Sequence, residues 1–369
     1  MGMTRHSRKF KPRQRTKRTL GESITSNSAP KIPHESPTAH ESGWNIKPPL
    51  SSRLYQKSGL GVLAPDESII LSPMEVLFCN WHRHVPLPDE HWFEKELAKD
   101  PDLLAKAVIF DNARSGGELV IPCTNVPKIV SEDSSFAFKW KRNKSHFNSD
   151  PVSQIRWFWT FDELNWEELA KWANAVQLAG YNSDIYVIDD EMEVTMYRIS
   201  FVEPVGNQKI WSTLNETEIE TIQQSWNSRV KTESGTYMQY SGEWPLPSIG
   251  VEHLSGINLR VEESLWLRNK IENLEHSEEI RLFDNLINRG LILRPGFKFG
   301  SKWRVYDDEL SLSHAPWLIQ TKFEVARTWE NVCLSVRLAE GVHKKWVYAL
   351  NDDDGWKFVQ LERWSPGRD

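Results

Sequence analysis

The chain has 369 residues, 39% hydrophobic and 26% charged, with a formal net charge of −6. That balance is ordinary for a soluble globular protein and leaves room for two or more domains. No apolar run approaches about 18 residues, so no membrane span is expected, and the N-terminus lacks the apolar core of a secretory signal.

Cys79, Cys123 and Cys333 are widely spaced and form no CxxC pair. They read as small buried hydrophobes in a reducing, cytoplasmic setting, not as disulfides or a zinc site. The eighteen Trp point first to aromatic cores.

In chain order, residues 1–18 carry eight Lys or Arg and no acid, which leaves −14 for the remainder. Such an arm can tether nucleic acid or simply solubilise the chain, and the acidic body confines any nucleic-acid contact to local basic pockets. Residues 19–53 are rich in Ser, Pro, His and Thr. Residues 1–54 are therefore expected to be a disordered basic arm and linker.

Beyond them the chain repeats itself. "LSPMEVLFC" at 71–79 resembles "LRVEESLWL" at 259–267, aligning Glu75 with Glu263 and Phe78 with Trp266. "IFDNARSGG" at 109–117 resembles "LFDNLINRG" at 282–290, and "VQLAGYNSDIYV" at 176–187 resembles "VRLAEGVHKKWV" at 336–347. Pairs in the same order imply two copies of one unit, at 55–205 and 246–369, with a connector at 206–245 holding a helix near Asn215–Trp226. In the second copy, 261–270 and 277–289 read as helices, with Ser277 as N-cap and Gly290 as stop. Strands follow at 291–294, 302–306 and 316–323, then a helix at about 327–340, the "KKWVYAL" strand and a last strand at 356–362. The expected fold is α+β: tandem copies of a small helical lobe followed by a mixed β-sheet with a packed helix.

Candidate chemistry gathers in the second copy. Tyr306 closes a strand, His314 precedes the next, and Lys344 follows the covering helix. Singly, such residues are more often packing or solvated surface. "WHRH" at 81–84 offers His82 and His84 without a third ligand nearby, and reads as a surface loop with no metal.

The combination is more specific. "FDNLINRGLILRPGFKFGSKWRVY" contains Arg289, Gly290, Gly296, Lys298, Phe299, Gly300 and Tyr306; His314 then precedes an apolar strand, and Arg337, Ala339, Lys344 and Lys345 follow. This pattern resembles the catalytic unit of the archaeal tRNA-splicing endonucleases, which eukaryotic splicing subunits share. The resemblance implies a restriction-endonuclease-like catalytic lobe that cuts RNA without a metal or cofactor. In it Tyr306 is the general base, His314 the general acid and Lys344 the cation on the phosphorane. It further implies that Arg337, with Arg363, clamps a flipped-out bulge base between guanidinium planes, with Arg304 as additional positive charge.

The first copy has no Tyr between Tyr55 and Tyr181. The repeat sets Asn143 near the position of Tyr306, Gln177 at that of Arg337 and Asp184 at that of Lys344, and leaves His146 incidental. It therefore resembles the non-catalytic half of the two-repeat homodimeric class, whose acidic loop docks on the partner chain. Asp189 and Asp190 occupy the corresponding place, where the plainer reading is a polar hairpin turn. The expected substrate is a pre-tRNA with a bulge–helix–bulge. The alternatives are a non-cutting RNA-binding subunit of the same fold and, more weakly, a metal-dependent nuclease.

Overall fold

The computed structural model describes residues 33–311, 314–322, 328–352 and 355–365, so the basic arm at 1–18 lies outside the described residues. The chain divides into two compact units. The first runs to Pro127 and includes Arg142–Ser149; the second comprises Lys128–Lys141 and the chain from Asp150 onward.

In the first unit, β1 (Thr38–His40), β2 (Gly43–Ile46), β3 (Val62–Leu63) and β4 (Ile69–Leu71) form an antiparallel sheet in the order β1-β2-β4-β3. Helix α1 (Leu50–Ser58) ends at Gly59, whose φ of 56° is left-handed and suits glycine. Part of the segment expected to be linker is thus folded. β1 is exposed along its length and held by backbone pairing with β2, a contribution that composition does not register.

Helices α2 (Pro73–Arg83), α3 (Trp92–Lys99) and α4 (Leu103–Ala113) follow, then β5 (Leu119–Pro122). Ser72 opens α2, with Pro73 at its first position and Glu75 returning one oxygen to the Ser72 N–H at 2.9 Å and hydroxyl at 2.8 Å. The other Glu75 oxygen accepts from the Gly61 N–H at 2.8 Å and Asn125 Nδ2 at 2.9 Å, which satisfies a fully buried carboxylate. Phe78 of α2 meets Phe110 of α4 edge to face at 5.4 Å. His82 lies in the last turn of α2, not in a loop, with Nε2 2.5 Å from Asp111 Oδ1.

The second unit begins with β6 (Ala137–Trp140), β7 (Ser153–Trp159), α5 (Trp166–Leu178), β8 (Asn182–Ile188) and β9 (Val194–Val202). It continues through α6 (Glu216–Asn227), β10 (Val230–Thr232), β11 (Gly235–Gln239), β12 (Val251–His253) and β13 (Gly256–Arg260). Helices α7 (Val261–Glu272) and α8 (Glu278–Asn288) lead to β14 (Ile292–Pro295), β15 (Trp303–Tyr306) and β16 (Trp317–Thr321). Last come α9 (Trp329–Gly341), β17 (Lys345–Asp352) and β18 (Gly355–Trp364). The α+β class is as expected.

The helix anticipated in the connector is α6, capped by Asn215, whose side chain accepts from the Glu218 N–H at 2.9 Å. The surrounding segment is no free connector. Ile222, Trp226 and Met238 enter the core, and β10 and β11 join β13 and β12 in the order β10-β11-β13-β12.

The large sheet of the second unit runs β14-β15-β16-β17-β18-β9-β8-β7-β6. The β16/β17 and β7/β8 pairs are parallel and the other described pairs antiparallel, with β18 joined to β9. Side chains on β17 alternate between two cores. Val347 and Ala349 face the layer containing Trp266, Phe283 and Leu286, while Trp346, Tyr348 and Leu350 join Trp166 of α5 and Trp329 of α9. Burial on both faces explains the continuous apolar run "WVYAL".

Residues matched in the repeats have matching partners. Glu263, like Glu75, is fully buried at the third position of its helix and accepts from the Arg260 N–H at 2.9 Å. Asp111 holds His82, and Asp284 correspondingly holds Lys270 at 2.7 Å and accepts from Trp266 Nε1 at 2.7 Å.

His276 supplies a pH test. Its Nδ1 accepts from Asn269 Nδ2 at 3.1 Å, which requires an unprotonated nitrogen. Burial, opposed by Asp284 and joined by Lys270, lowers its pKa. The unfolded chain therefore binds the proton more readily, and this contribution to stability is lost as pH falls through the ordinary histidine value of about 6.5. Urea titrations at pH 7.5 and 5.0 should show a smaller loss in His276→Gln than in wild type. Equal losses would contradict the assignment.

Candidate active site

Tyr306, His314 and Lys344 are brought to one end of the large sheet by strand register. Val305 pairs with Trp317 across antiparallel β15 and β16, so Tyr306 lies one step beyond the start of β16. Trp317 pairs with Lys345 across parallel β16 and β17, so Lys344 lies one step before the start of β17. His314 is exposed, in the segment that leads into β16. The Lys344 ammonium donates to the Ala315 carbonyl at 2.7 Å, which ties it to the residue following His314. Antiparallel β17 and β18 pair Trp346 with Leu361, and the same register continued sets Arg363 level with Lys344.

Positive charge is in excess here. Burial lowers the Lys344 pKa, and the neighbouring Arg304 guanidinium lowers it further. Arg304 is held by a 3.0 Å bond from Nε to the Pro295 carbonyl. A cation kept beside another cation is the electrostatic condition for receiving an anion.

Arg337 is exposed on α9 and Arg363 on β18. The Arg363 N–H donates to Glu340 Oε1 at 2.9 Å, which fixes that strand end against α9. Both arginines act electrostatically on one thiol: burial pushes Cys333 up to about 11 against the pull of Arg363 and Arg337. Both guanidinium groups thus carry charge to one region beside α9.

The counterparts in residues 55–205 that the expected repeat assigns differ from those the hydrogen bonds and strand register align. The Lys344 N–H donates to the Ala339 carbonyl at 2.9 Å, and the Lys345 N–H to Pro316 at 2.9 Å. The same pattern at the start of β8 uses Tyr181 to Val176 at 3.0 Å and Asn182 to Val152 at 2.8 Å. The residues just before, His343 and Gly180, both have positive φ, 56° and 87°. Tyr181, not Asp184, therefore holds the position of Lys344. By the same helix register Asn174, not Gln177, answers to Arg337. Trp140 ends β6 as Tyr306 ends β15, since Lys139 pairs with Ser153 as Val305 pairs with Trp317. Asn143 lies in the first unit. The Trp140 ring is fully buried and offers no acid–base chemistry.

Asp184 has a structural position. Its carboxylate, fully buried, meets Lys139 Nζ at 2.6 Å and Arg198 Nε at 2.8 Å. Asp189 closes the β8–β9 turn by accepting from the Glu193 N–H at 2.8 Å, and Asp190 beside it is exposed. Among the described residues no group of acidic, His or Cys side chains gathers as a metal site, and no helix is long and apolar enough to cross a membrane.

Residues 276–357, which contain Tyr306, His314, Lys344 and Arg337, match the family model of the tRNA intron endonuclease catalytic C-terminal domain. Over these residues the chain is similar to the tRNA-splicing endonuclease family. The catalytic-domain match and the named relatives support an enzyme of the tRNA-intron lyase class. It is similar to the tRNA-splicing endonuclease of Natronomonas pharaonis, 24% identical over 340 residues that cover 87% of this chain and 97% of that relative. It is also similar to those of Thermoplasma volcanium, 26% identical over 48% of this chain and 54% of the relative, and Methanococcoides burtonii, 25% identical over 48% and 57%. For these last two the match spans about half the relative's length.

Sequence reasoning passed over Arg83 and Arg114 of the first unit. No short motif marks them, because the residues around them come from separate segments between 56 and 146.

Proposed function

We propose that this chain is a tRNA-splicing endonuclease that cuts pre-tRNA at bulge–helix–bulge intron junctions, without a metal, leaving 2′,3′-cyclic phosphate and 5′-OH ends. The observation that carries the reading is the shared sheet end of Tyr306, Lys344 and Arg363, with Lys344 bonded beside His314. The 2′-OH oxygen attacks the adjacent phosphorus, and Tyr306 takes its proton. As the bond from phosphorus to the 5′ oxygen breaks, His314 gives a proton to that oxygen. Lys344, with Arg304 behind it, neutralises the phosphorane. Arg337 and Arg363 hold a flipped-out bulge base, a use suited to exposed planar cations.

The two halves are proposed to be tandem copies, the first non-catalytic. The matching order of β1–β4 and β10–β13, and the matched carboxylates Glu75 and Glu263, support this. Two such chains form a homodimer in which the Asp189–Asp190 loop docks on the partner, so that each catalytic half meets one bulge. Asp190→Lys should convert a species of twice the 42.9 kDa chain mass to a monomer by light scattering. An unchanged mass would remove the docking role.

A single 2′-deoxy nucleotide at the scissile position tests the nucleophile. Cutting at that bulge should disappear while cutting at the other persists. Unimpaired cutting there would exclude the 2′-OH mechanism.

A further inference from the structure

The first unit contains a cavity of about 410 Å³ lined by Lys57, Arg83, Arg114, Lys144 and His146, with Glu118 as its acidic member. Four fixed cations against one carboxylate leave it positive. The arginines are engaged by neutral partners. Arg83 donates to the His82 carbonyl at 2.9 Å and Ser58 Oγ at 3.4 Å, and Arg114 to the carbonyls of Val120 at 2.6 Å and Ser58 at 2.5 Å. Both also lie over the Phe78 ring, at 5.5 and 4.8 Å. A guanidinium has five N–H donors, so each retains donors for a ligand.

The charges act against the fold. Burial, reinforced by Arg83, lowers the Arg114 pKa to about 10, and burial with Arg114 lowers that of His146. Glu75 and Asp111 act on Arg114 only through space and do not offset its burial. Two mutually repelling guanidinium groups held together over one aromatic ring gain most from an anion whose oxygens accept from both. Lys57, Asn143, Lys144 and Ser145 at the rim add further donors.

We propose that this cavity binds a phosphate group, and that its occupant is a backbone phosphate of the RNA. The second part rests on the RNA-cutting function proposed above; the first does not. The proposal gives the non-catalytic half a role of its own in holding the substrate, read through charge and not through base identity.

Two measurements on the full chain test it. In the first, inorganic phosphate should raise the melting temperature of wild type above a chloride control at matched ionic strength, and Arg83→Gln should abolish that rise. In the second, anisotropy across a salt series follows a bulge–helix–bulge RNA. The Lys57→Glu/Lys144→Glu variant should bind roughly tenfold more weakly at low salt, with a log–log salt slope shallower by about one for each phosphate it no longer neutralises. Arg114 is left intact because it holds the Ser58 and Val120 carbonyls. Phosphate stabilisation with unchanged RNA binding would keep the site and replace RNA by a free phosphate ligand. Absence of both effects would overturn the proposal. A folded wild type that binds phosphate yet never cuts RNA would instead remove the cleavage reading and leave the cavity assignment standing.

Discussion

Tyr306→Phe is expected to lower the cleavage rate by roughly 10²- to 10⁴-fold, the range for removing a positioned proton-transfer group. The substitution deletes one oxygen and keeps the ring at the end of β15, where the backbone pairs with Ile292. Stability should therefore be retained, and circular dichroism and melting should match wild type. The loss should fall on kcat with KM little changed, because proton abstraction belongs to the transition state. Lys344→Met should give a comparable kinetic loss, since the ammonium that bonds the Ala315 carbonyl is also the charge proposed to neutralise the phosphorane. A Tyr306→Phe enzyme within about threefold of wild type would sink the assignment of the base.

The second large effect is on stability. Asp184 binds Lys139 and Arg198, and both cations also lie against the Trp364 ring, at 3.4 and 5.1 Å. The cluster ties together β6, β8, β9 and β18, the strands around the junction of the large sheet. Asp184→Ala leaves a fully buried ammonium without its carboxylate, and breaking a buried pair in this way costs about 3–5 kcal/mol. Urea unfolding should show the midpoint falling by a corresponding amount with little change in slope. A loss below about 1 kcal/mol would mean that water or another carboxylate takes over, contrary to the full burial of both groups.

Much of residues 246–369 was legible because the signals there are local. The starts of α7 and α8, the stop at Gly290 and the short apolar runs of β14, β16 and β17 all follow from neighbouring residues. Glu75 and Glu263 were matched by sequence alone, and their common capping geometry explains why that match was sound. The match of Asp184 with Lys344 failed for a physical reason. It aligned "VQLA" with "VRLA", whereas the helices begin at Trp166 and Trp329, and the register is fixed by those starts and by the hydrogen bonds into the next strand.

The edge strands were invisible for the opposite reason. β1, β10 and β12 are short and exposed, so they carry no apolar pattern, and their existence depends on a partner distant in sequence. The gathering of Tyr306, Lys344 and Arg363 also depends on such non-local register, in particular on the parallel β16/β17 pair that α9 connects. Sequence could name those residues by resemblance but could not show their common sheet end. The cavity around Arg83 and Arg114 lay further out of reach, because no periodicity connects residues 57, 83, 114 and 144.

The proposed reaction is metal-independent cutting by attack of the 2′-OH. The most direct measurement incubates the whole chain with an end-labelled bulge–helix–bulge RNA in excess EDTA and determines the product ends. Cutting is expected at both bulges, with a 2′,3′-cyclic phosphate on each upstream fragment and a 5′-OH on each downstream one. Cutting that waits for added magnesium, or products ending in 3′-OH and 5′-phosphate, would contradict it.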